Sequence, residues 1–290
     1  MTPEETRLFG KTLGAIARRL DALRAEELVY LREVPIQQAI GAFRTSFEAW
    51  GHDRVGADVE AVDGEVQLAG GAEWARTYWQ LVVLHLVART LQQDRSTVLT
   101  APLREFLLRD LERIVDSATP GTVPDDPLGD PAFILDLGLS RGAVLPFDDM
   151  LVVPRYLEDP NFTEGTWLEF HVRSGDFDLD SLMALSTLVE DYLLLNPHIQ
   201  GLYAIGWMMD PDVAEVSPHL GWVREFTANT GADISHVGTN EETVTLATST
   251  SATRRAAFEE GRFAPTNHLV MMSRDVLVTF FESMRDQGTP

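Results

Sequence analysis

The chain has 290 residues, enough for one large domain or two of ordinary size. It contains no cysteine, which excludes disulfides, thiolate metal sites and cysteine nucleophiles. Its formal net charge of −22 disfavours binding to nucleic acid and to anionic lipid, and its apolar runs are shorter than the roughly 18–20 residues that a membrane-spanning helix needs. The acidic start of the chain lacks the order of a signal peptide and favours a cytoplasmic location.

The first part of the chain has the apolar spacing of helices. We predict helices over residues 4–31, 36–50, 74–91 and 102–115. Residues 51–71 are polar and contain several glycines, which favours a short strand pair at 59–62 and 65–68 with a turn at Asp63-Gly64. Residues 1–118 are therefore predicted to form a helical domain.

Residues 119–130 differ in composition from what precedes and follows them. They hold three prolines and two glycines, which prevents a regular helix or ladder. We predict a linker here, with a second domain over residues 131–290.

The second domain alternates between strand and helix patterns. Strands are predicted over 132–139, 150–156 and 166–173, and then a helix over 180–195. Strands over 202–209, 233–237 and 267–272 follow, separated by helices over 218–230 and 241–260 and closed by a helix over 275–285. The fold class is α+β or α/β, with a mixed sheet after a helical N-terminal domain.

Two side chains near strand ends are candidates for a catalytic base. His171 lies in the strand predicted over 166–173, where a rigid backbone would hold the imidazole in place. Asp210 follows the strand over 202–209, and ligands of α/β sheets bind at the carboxyl ends of strands. A core histidine and a turn-capping aspartate are the alternatives. The sequence predicts no metal site.

A cluster of hydroxyl and arginine side chains lies in the second half of the helix predicted over 241–260. Ser251, Arg254 and Arg255 would lie at a helix start, where backbone N–H groups and guanidinium groups together bind anions. The alternative is a capped helix with arginines on its surface.

Residues 138–142 match the G-x-S-x-G pattern of a serine nucleophile, with Ser140 at its centre. A serine hydrolase is therefore one alternative function, and a hairpin turn after the strand over 132–139 is the other reading of the same residues.

The order of elements from about 132 to 273 resembles the GNAT fold of acyl-CoA-dependent N-acyltransferases. The segment 251–263 is similar to a late helix of that family in the spacing of its two phenylalanines, Phe258 and Phe263. The resemblance implies that acetyl-CoA or another acyl-CoA binds between the strands over 166–173 and 202–209, with Arg173, Ser174 and Gly175 in the place of the pyrophosphate loop.

The resemblance implies transfer of the acyl group to an amine of a small molecule, with backbone N–H groups of splayed strands polarising the thioester carbonyl. The chain departs from the family where Phe258 replaces a tyrosine and where acidic residues follow Gly175. A non-catalytic binding or assembly protein of the same fold is therefore the alternative. A homodimer is one predicted assembly of the chain.

Overall fold

The computed structural model describes residues 1–21, 34–48, 57–117, 123–124, 126–148, 150–158, 162–172 and 179–286. The chain divides into two compact units, Met1–Leu151 and Val152–Pro290. The first unit therefore extends past the predicted linker at 119–130, part of which lies outside the described residues.

The described elements of the first unit are helices until a short strand near its end. The helices are α1 (Pro3–Asp21), α2 (Ile36–Glu48), α3 (Ala57–Leu91), α4 (Ala101–Ser117) and α5 (Pro131–Arg141), and the strand is β1 (Leu145–Phe147). Helix α1 packs against α4, and α2 packs against α3. The largest fully buried side chains of this unit are those of Trp79, Tyr78 and Phe147.

Helix α3 reverses its direction at Gly71. In a straight helix Asp63 and Trp79 would lie about 24 Å apart. The indole Nε1 of Trp79 instead donates to Oδ1 of Asp63 over 2.6 Å, and Gly71 has φ 76° and ψ −177°. The element is therefore a pair of helices joined by a turn at Gly71.

The strand pair predicted at 59–62 and 65–68 is wrong, because these residues form the first half of α3. Val59, Val62 and Val66 are all buried, and their spacing of three and four residues places them on one side of a helix. Burial of this apolar side outweighs the turn preference of Asp63-Gly64.

The strand predicted over 132–139 is also wrong, because these residues belong to α5. The side chain of Asp130 accepts from the backbone N–H groups of Ala132 and Phe133, and Pro131 occupies the first turn. Gly142 ends the helix in the left-handed conformation, with φ 67°. Both ends of α5 are thus specified by local capping.

The second unit contains most of the sheet and the helices around it. Its elements, starting with the strand that crosses the division, are β2 (Met150–Leu157), β3 (Gly165–Val172), α6 (Leu179–Leu195), β4 (Ile199–Gly206), α7 (Val213–Val216), α8 (Gly221–Asn229), β5 (Asp233–Gly238), α9 (Glu241–Ser249), α10 (Ala252–Glu259), β6 (Asn267–Ser273) and α11 (Arg274–Asp286). The strands form one sheet in the order β1-β2-β3-β4-β6-β5.

The sheet is mixed, which confirms the prediction of a mixed α/β chain. Strand β4 runs parallel to β3 and antiparallel to β6, and β5 is antiparallel to β6. The predicted strands at 150–156 and 267–272 are confirmed, as is the strand at 166–173 up to residue 172, while the helix predicted over 241–260 is divided into α9 and α10.

Two apolar groups surround the strands of the second unit. Helices α6 and α11 contribute buried side chains such as Leu185, Tyr192 and Phe281. A smaller core of Val213, Ala247, Ala257 and Phe263 joins α7, α9 and α10. Across the described ranges of the chain, no helix is both long and apolar enough to span a membrane. A cytoplasmic location stays a prediction.

Candidate functional site

Strands β3 and β4 pair along only the first part of their length. Their ladder begins at Thr166 and Ile199 and ends at Glu169 and Tyr203. Strand β3 then continues to Val172, and β4 continues to Gly206 while paired with β6 on its other side. The recorded ladder therefore does not join the carboxyl ends of the two strands beyond Glu169 and Tyr203, and we call the region between these ends the gap.

A polar cluster lies at the start of the gap. Alternate residues of a strand point to the same face, so Glu169 and His171 lie on one face of β3. Glu169 is 3% exposed and forms an ion pair through Oε2 with Nε of Arg155 on β2. The hydroxyl of Tyr203 on β4 donates to the same carboxylate. Three adjacent strands are thus joined through one glutamate.

The surroundings of Glu169 explain how a charge is tolerated there. A buried carboxylate without partners costs several kcal/mol, so burial requires a cation and hydrogen-bond donors. Arg155 supplies the cation, and its side chain is itself mostly buried. Burial raises the pKa of Tyr203, and the negative charge of Glu169 raises it further, so Tyr203 remains a protonated donor.

His171 lies at the exposed end of this cluster. Its side chain is 28% exposed, and its Nε2 lies 3.8 Å from Oε1 of Glu169. That distance is longer than a hydrogen bond but within ion-pair range. His171 thus lies beside a buried carboxylate, at a position from which an imidazole would accept a proton from a group in the gap.

Aromatic rings hold Tyr203 in place at the start of the gap. The ring of Phe162 meets the rings of Trp167 and Tyr203 edge to face, with centroids 5.1 and 5.2 Å apart. Nε1 of Trp167 donates to the carbonyl of Thr163 over 2.8 Å. These contacts restrict the rotamers of Trp167 and Tyr203.

Asp210 lies in a different environment from His171. It is 3% exposed, and one of its oxygens accepts from both the backbone N–H and the hydroxyl of Thr266, over 2.7 and 2.6 Å. The other oxygen accepts from the backbone N–H of Asp212 over 2.9 Å. These bonds connect the end of β4 to the start of β6, which is the arrangement of a residue that holds a turn.

Arg254 points into the second unit. Its Nη1 donates to Ser217 and its Nη2 to Thr250, both over 3.1 Å, and its Nε donates to the carbonyl of Ala247. The guanidinium lies 4.7 Å from the ring centroid of Trp207. Burial lowers the pKa of Arg254. The side chain is 6% exposed and is directed at the smaller core, away from solvent.

The other predicted anion-binding residues hold helix ends. Ser251 caps α10 by accepting from the backbone N–H of Arg254. Arg255 is exposed, and its Nη2 donates to the carbonyl of Ser249 over 2.9 Å, at the end of α9. The predicted cofactor residues Arg173, Ser174 and Gly175 lie outside the described residues, and their role stays a prediction.

Ser140 is fully buried within α5, and its hydroxyl donates to the carbonyl of Asp136 over 2.6 Å. A nucleophile elbow needs a serine on an exposed turn between a strand and a helix. The expected strand is absent from this described segment, so neither the elbow nor the hairpin turn is formed by residues 138–142.

Sequence reasoning missed three members of the cluster: Arg155, Glu169 and Tyr203. The signal was present in β3, where an acid and a histidine two residues apart interrupt an otherwise apolar strand. Charged residues are almost never fully buried unless they are paired. Glu169 therefore predicts a buried cation on a neighbouring strand, although the sequence does not say which one.

No protein-family model and no curated protein matches this sequence. Among solved structures, an acyltransferase in complex with CoA and 10C-teicoplanin is similar over 82% of this chain and 76% of its own, with a TM-score of 0.53 and 11% identity. An acyltransferase in complex with decanoyl-CoA and teicoplanin is similar over 88% of this chain and 85% of its own, with a TM-score of 0.53 and 12% identity. At these identities the likeness shows a shared fold.

Proposed function

We propose that this protein transfers an acyl group from an acyl-CoA to an amine of a small molecule. The gap between β3 and β4 carries the proposal, because the ladder between these two parallel strands ends at Glu169 and Tyr203, before the carboxyl end of either strand. Ligands of α/β sheets bind at such strand ends, where backbone groups bind the amides of pantetheine as an added strand does and polarise a thioester carbonyl. The GNAT resemblance of the sequence predicts a cofactor between these same two strands.

The similar solved structures support the same activity. They are acyltransferases that hold CoA or decanoyl-CoA, together with teicoplanin or its 10C form, and the likeness extends over most of both chains. The shared fold makes an acyl-CoA the first ligand to test. The acceptor of this chain is to be identified by assay with different amines.

In the proposed reaction His171 is the general base. The amine nitrogen forms a bond to the thioester carbonyl carbon and gives a proton to His171, and the carbon–sulfur bond breaks with its electron pair on the CoA sulfur. Backbone N–H groups beside the gap stabilise the negative charge that develops on the carbonyl oxygen. The thiolate then takes a proton from solvent, and the imidazolium of His171 releases its proton to solvent.

A non-catalytic protein of the same fold is the second candidate. It is favoured by Arg254 and Arg255, whose guanidinium groups contact groups of the protein at the end of α9. Phe258, which stands where the family often has a proton-donating tyrosine, also favours it, since a phenyl ring transfers no proton.

The test combines calorimetric titration with CoA, acetyl-CoA and decanoyl-CoA with a thiol assay for CoA release in the presence of primary amines. We expect binding of at least one thioester and amine-dependent release of CoA. His171→Ala should lower kcat by about 100-fold or more while CoA still binds, because general-base catalysis contributes about 100- to 10,000-fold.

His219→Ala is the matched control, since His219 is exposed and lies apart from β3 and β4 in sequence. Binding without turnover for any amine would favour the non-catalytic candidate. Absence of binding to every thioester would refute both the cofactor and the reaction.

A further inference from the structure

We propose that Glu169 is a positioning residue for His171, and that Arg155 and Tyr203 hold its carboxylate for this purpose. The inference rests on the proposed function, since it describes what Glu169 does while His171 takes the acceptor proton. In this proposal the buried ion pair of Arg155 and Glu169, at the start of the gap between β3 and β4, serves to position His171.

The two oxygens of Glu169 face different partners. Oε2 meets Nε of Arg155, and Oε1 faces Nε2 of His171 at 3.8 Å. The Arg155 pair comes from β2 and the Tyr203 hydrogen bond from β4, so the carboxylate is held from both neighbouring strands. A group held in this way loses little rotamer freedom when the imidazole changes its charge.

The distance between Glu169 and His171 stabilises the transition state more than the ground state of the reaction. At 3.8 Å a neutral imidazole gains little from the carboxylate, whereas an imidazolium is attracted to it by its opposite charge. His171 becomes an imidazolium only as the nitrogen–carbon bond forms and the proton leaves the amine. The attraction therefore lowers the barrier rather than tightening ground-state binding.

The charged and titratable groups of the cluster come from three strands. Arg155 on β2 offsets the charge of Glu169, and Tyr203 on β4 stays protonated because burial and the nearby carboxylate raise its pKa. The charge nearest to His171 in the cluster is that of Glu169, which lies on the same strand and face. A variant that neutralises Glu169 thus removes the carboxylate charge that faces the His171 imidazole at 3.8 Å.

The first experiment is the pH profile of kcat/KM for Glu169→Gln. We expect kcat to fall by about 10- to 100-fold, KM for the acyl-CoA to change by less than about 3-fold, and the acid limb to move to lower pH by about one unit. A merely structural role would lower activity without moving the acid limb, and that result would overturn the proposal.

The second experiment is a double-mutant cycle. In the His171→Ala background, Glu169→Gln should lower kcat by less than about 2-fold, because its effect requires the imidazole. A further fall of about 10-fold in that background would show that Glu169 acts independently of His171 and would refute the positioning role.

Tyr203→Phe covers the case in which Glu169→Gln does not fold. It removes one hydrogen bond to Glu169 and keeps the ring packed on Phe162. We expect a fall in kcat of about 3- to 10-fold and a smaller movement of the acid limb. An unchanged profile would contradict the role given to Tyr203.

An NMR titration of the histidine ring signals distinguishes failure of the Glu169–His171 coupling from failure of the proposed function. The His171 signal is assigned from its alanine variant. If the protein binds no CoA thioester, the acyl-transfer proposal fails. The coupling is then decided by whether the midpoint of the His171 signal moves to lower pH in Tyr203→Phe or Glu169→Gln. An unmoved midpoint would refute it.

Discussion

At the scale of single residues, the partner of a buried charge decides its role. Arg155 and Arg254 are both largely buried, yet Arg155 faces a carboxylate at the start of the gap while Arg254 donates to carbonyl and hydroxyl oxygens of the smaller core. Their residue type is the same, and only their position in three dimensions separates a member of the candidate site from a packing residue.

Tyr78 provides a residue-scale prediction of pH dependence. Burial raises its pKa to about 12, and its hydroxyl donates to the carbonyl of Pro35 over 3.2 Å. The unfolded chain has the ordinary value near 10, so the folded state holds this proton more tightly. The resulting stability is complete below about pH 10 and is lost as the pH rises towards 12.

We expect the free energy of unfolding of wild type to fall by about 2 kcal/mol more than that of Tyr78→Phe between pH 10 and 12. Denaturant titrations across this range measure the difference. Tyr156→Phe is the control, because Tyr156 is 61% exposed and should leave the alkaline loss in place. Equal losses in wild type and Tyr78→Phe would contradict the assignment.

At the scale of elements, capping and apolar spacing outweigh local turn preference. The chain segments 59–68 and 132–139 were both predicted as strands and both form helices. In the first, three buried valines share a helix face, and in the second Asp130 and Gly142 cap the two ends. Short apolar runs fit either period, and the caps decide between them.

The turn inside α3 gives an element-scale prediction. Gly71 has a positive φ and an extended ψ, a region that side chains disfavour by about 1 to 3 kcal/mol, although a Cβ there would meet no atom within 4 Å. Gly71→Ala should therefore lower the free energy of unfolding by this amount through backbone strain alone. Chemical denaturation monitored by circular dichroism measures it.

Gly64→Ala is the matched control for that variant. Gly64 lies inside the first half of α3, and a Cβ there also meets nothing within 4 Å. Alanine in a helix interior is better than glycine by about 0.5 to 1 kcal/mol, so this variant should be more stable than wild type. Destabilisation by both substitutions to the same degree would argue against a reversal at Gly71.

At the scale of the whole molecule, the net charge of −22 opposes the folded state through self-repulsion. We expect the midpoint of thermal unfolding at pH 7 to rise by a few degrees between about 0.05 and about 0.5 M NaCl, because salt screens exposed charges. The rise should shrink as the pH approaches the isoelectric point of about 4.6. Calorimetric scans at both pH values measure the effect, and a salt response that does not depend on pH would contradict it.

Length, charge and periodic apolar spacing determined a large part of this protein. The composition alone shows that cysteine is absent. Residues close together in the chain predict the helical start, the alternation of strand and helix after β2, and the strand that carries His171. These features depend on local propensity and on the period of side-chain burial, which the sequence contains directly.

Only the tertiary structure decided which polar residues meet. Arg155, Glu169 and Tyr203 are up to 48 residues apart in the sequence and come together because β2, β3 and β4 are neighbours in the sheet. The point at which the ladder between β3 and β4 ends depends on strand order and register, which are set by long-range pairing rather than by local propensity. The same strand pairing brings Asp210 next to Thr266, to which it is hydrogen-bonded. The packing of α9 and α10 places Arg254 in the interior, where it donates to the carbonyl of Ala247. Both contacts satisfy the rule that buried polar groups are hydrogen-bonded.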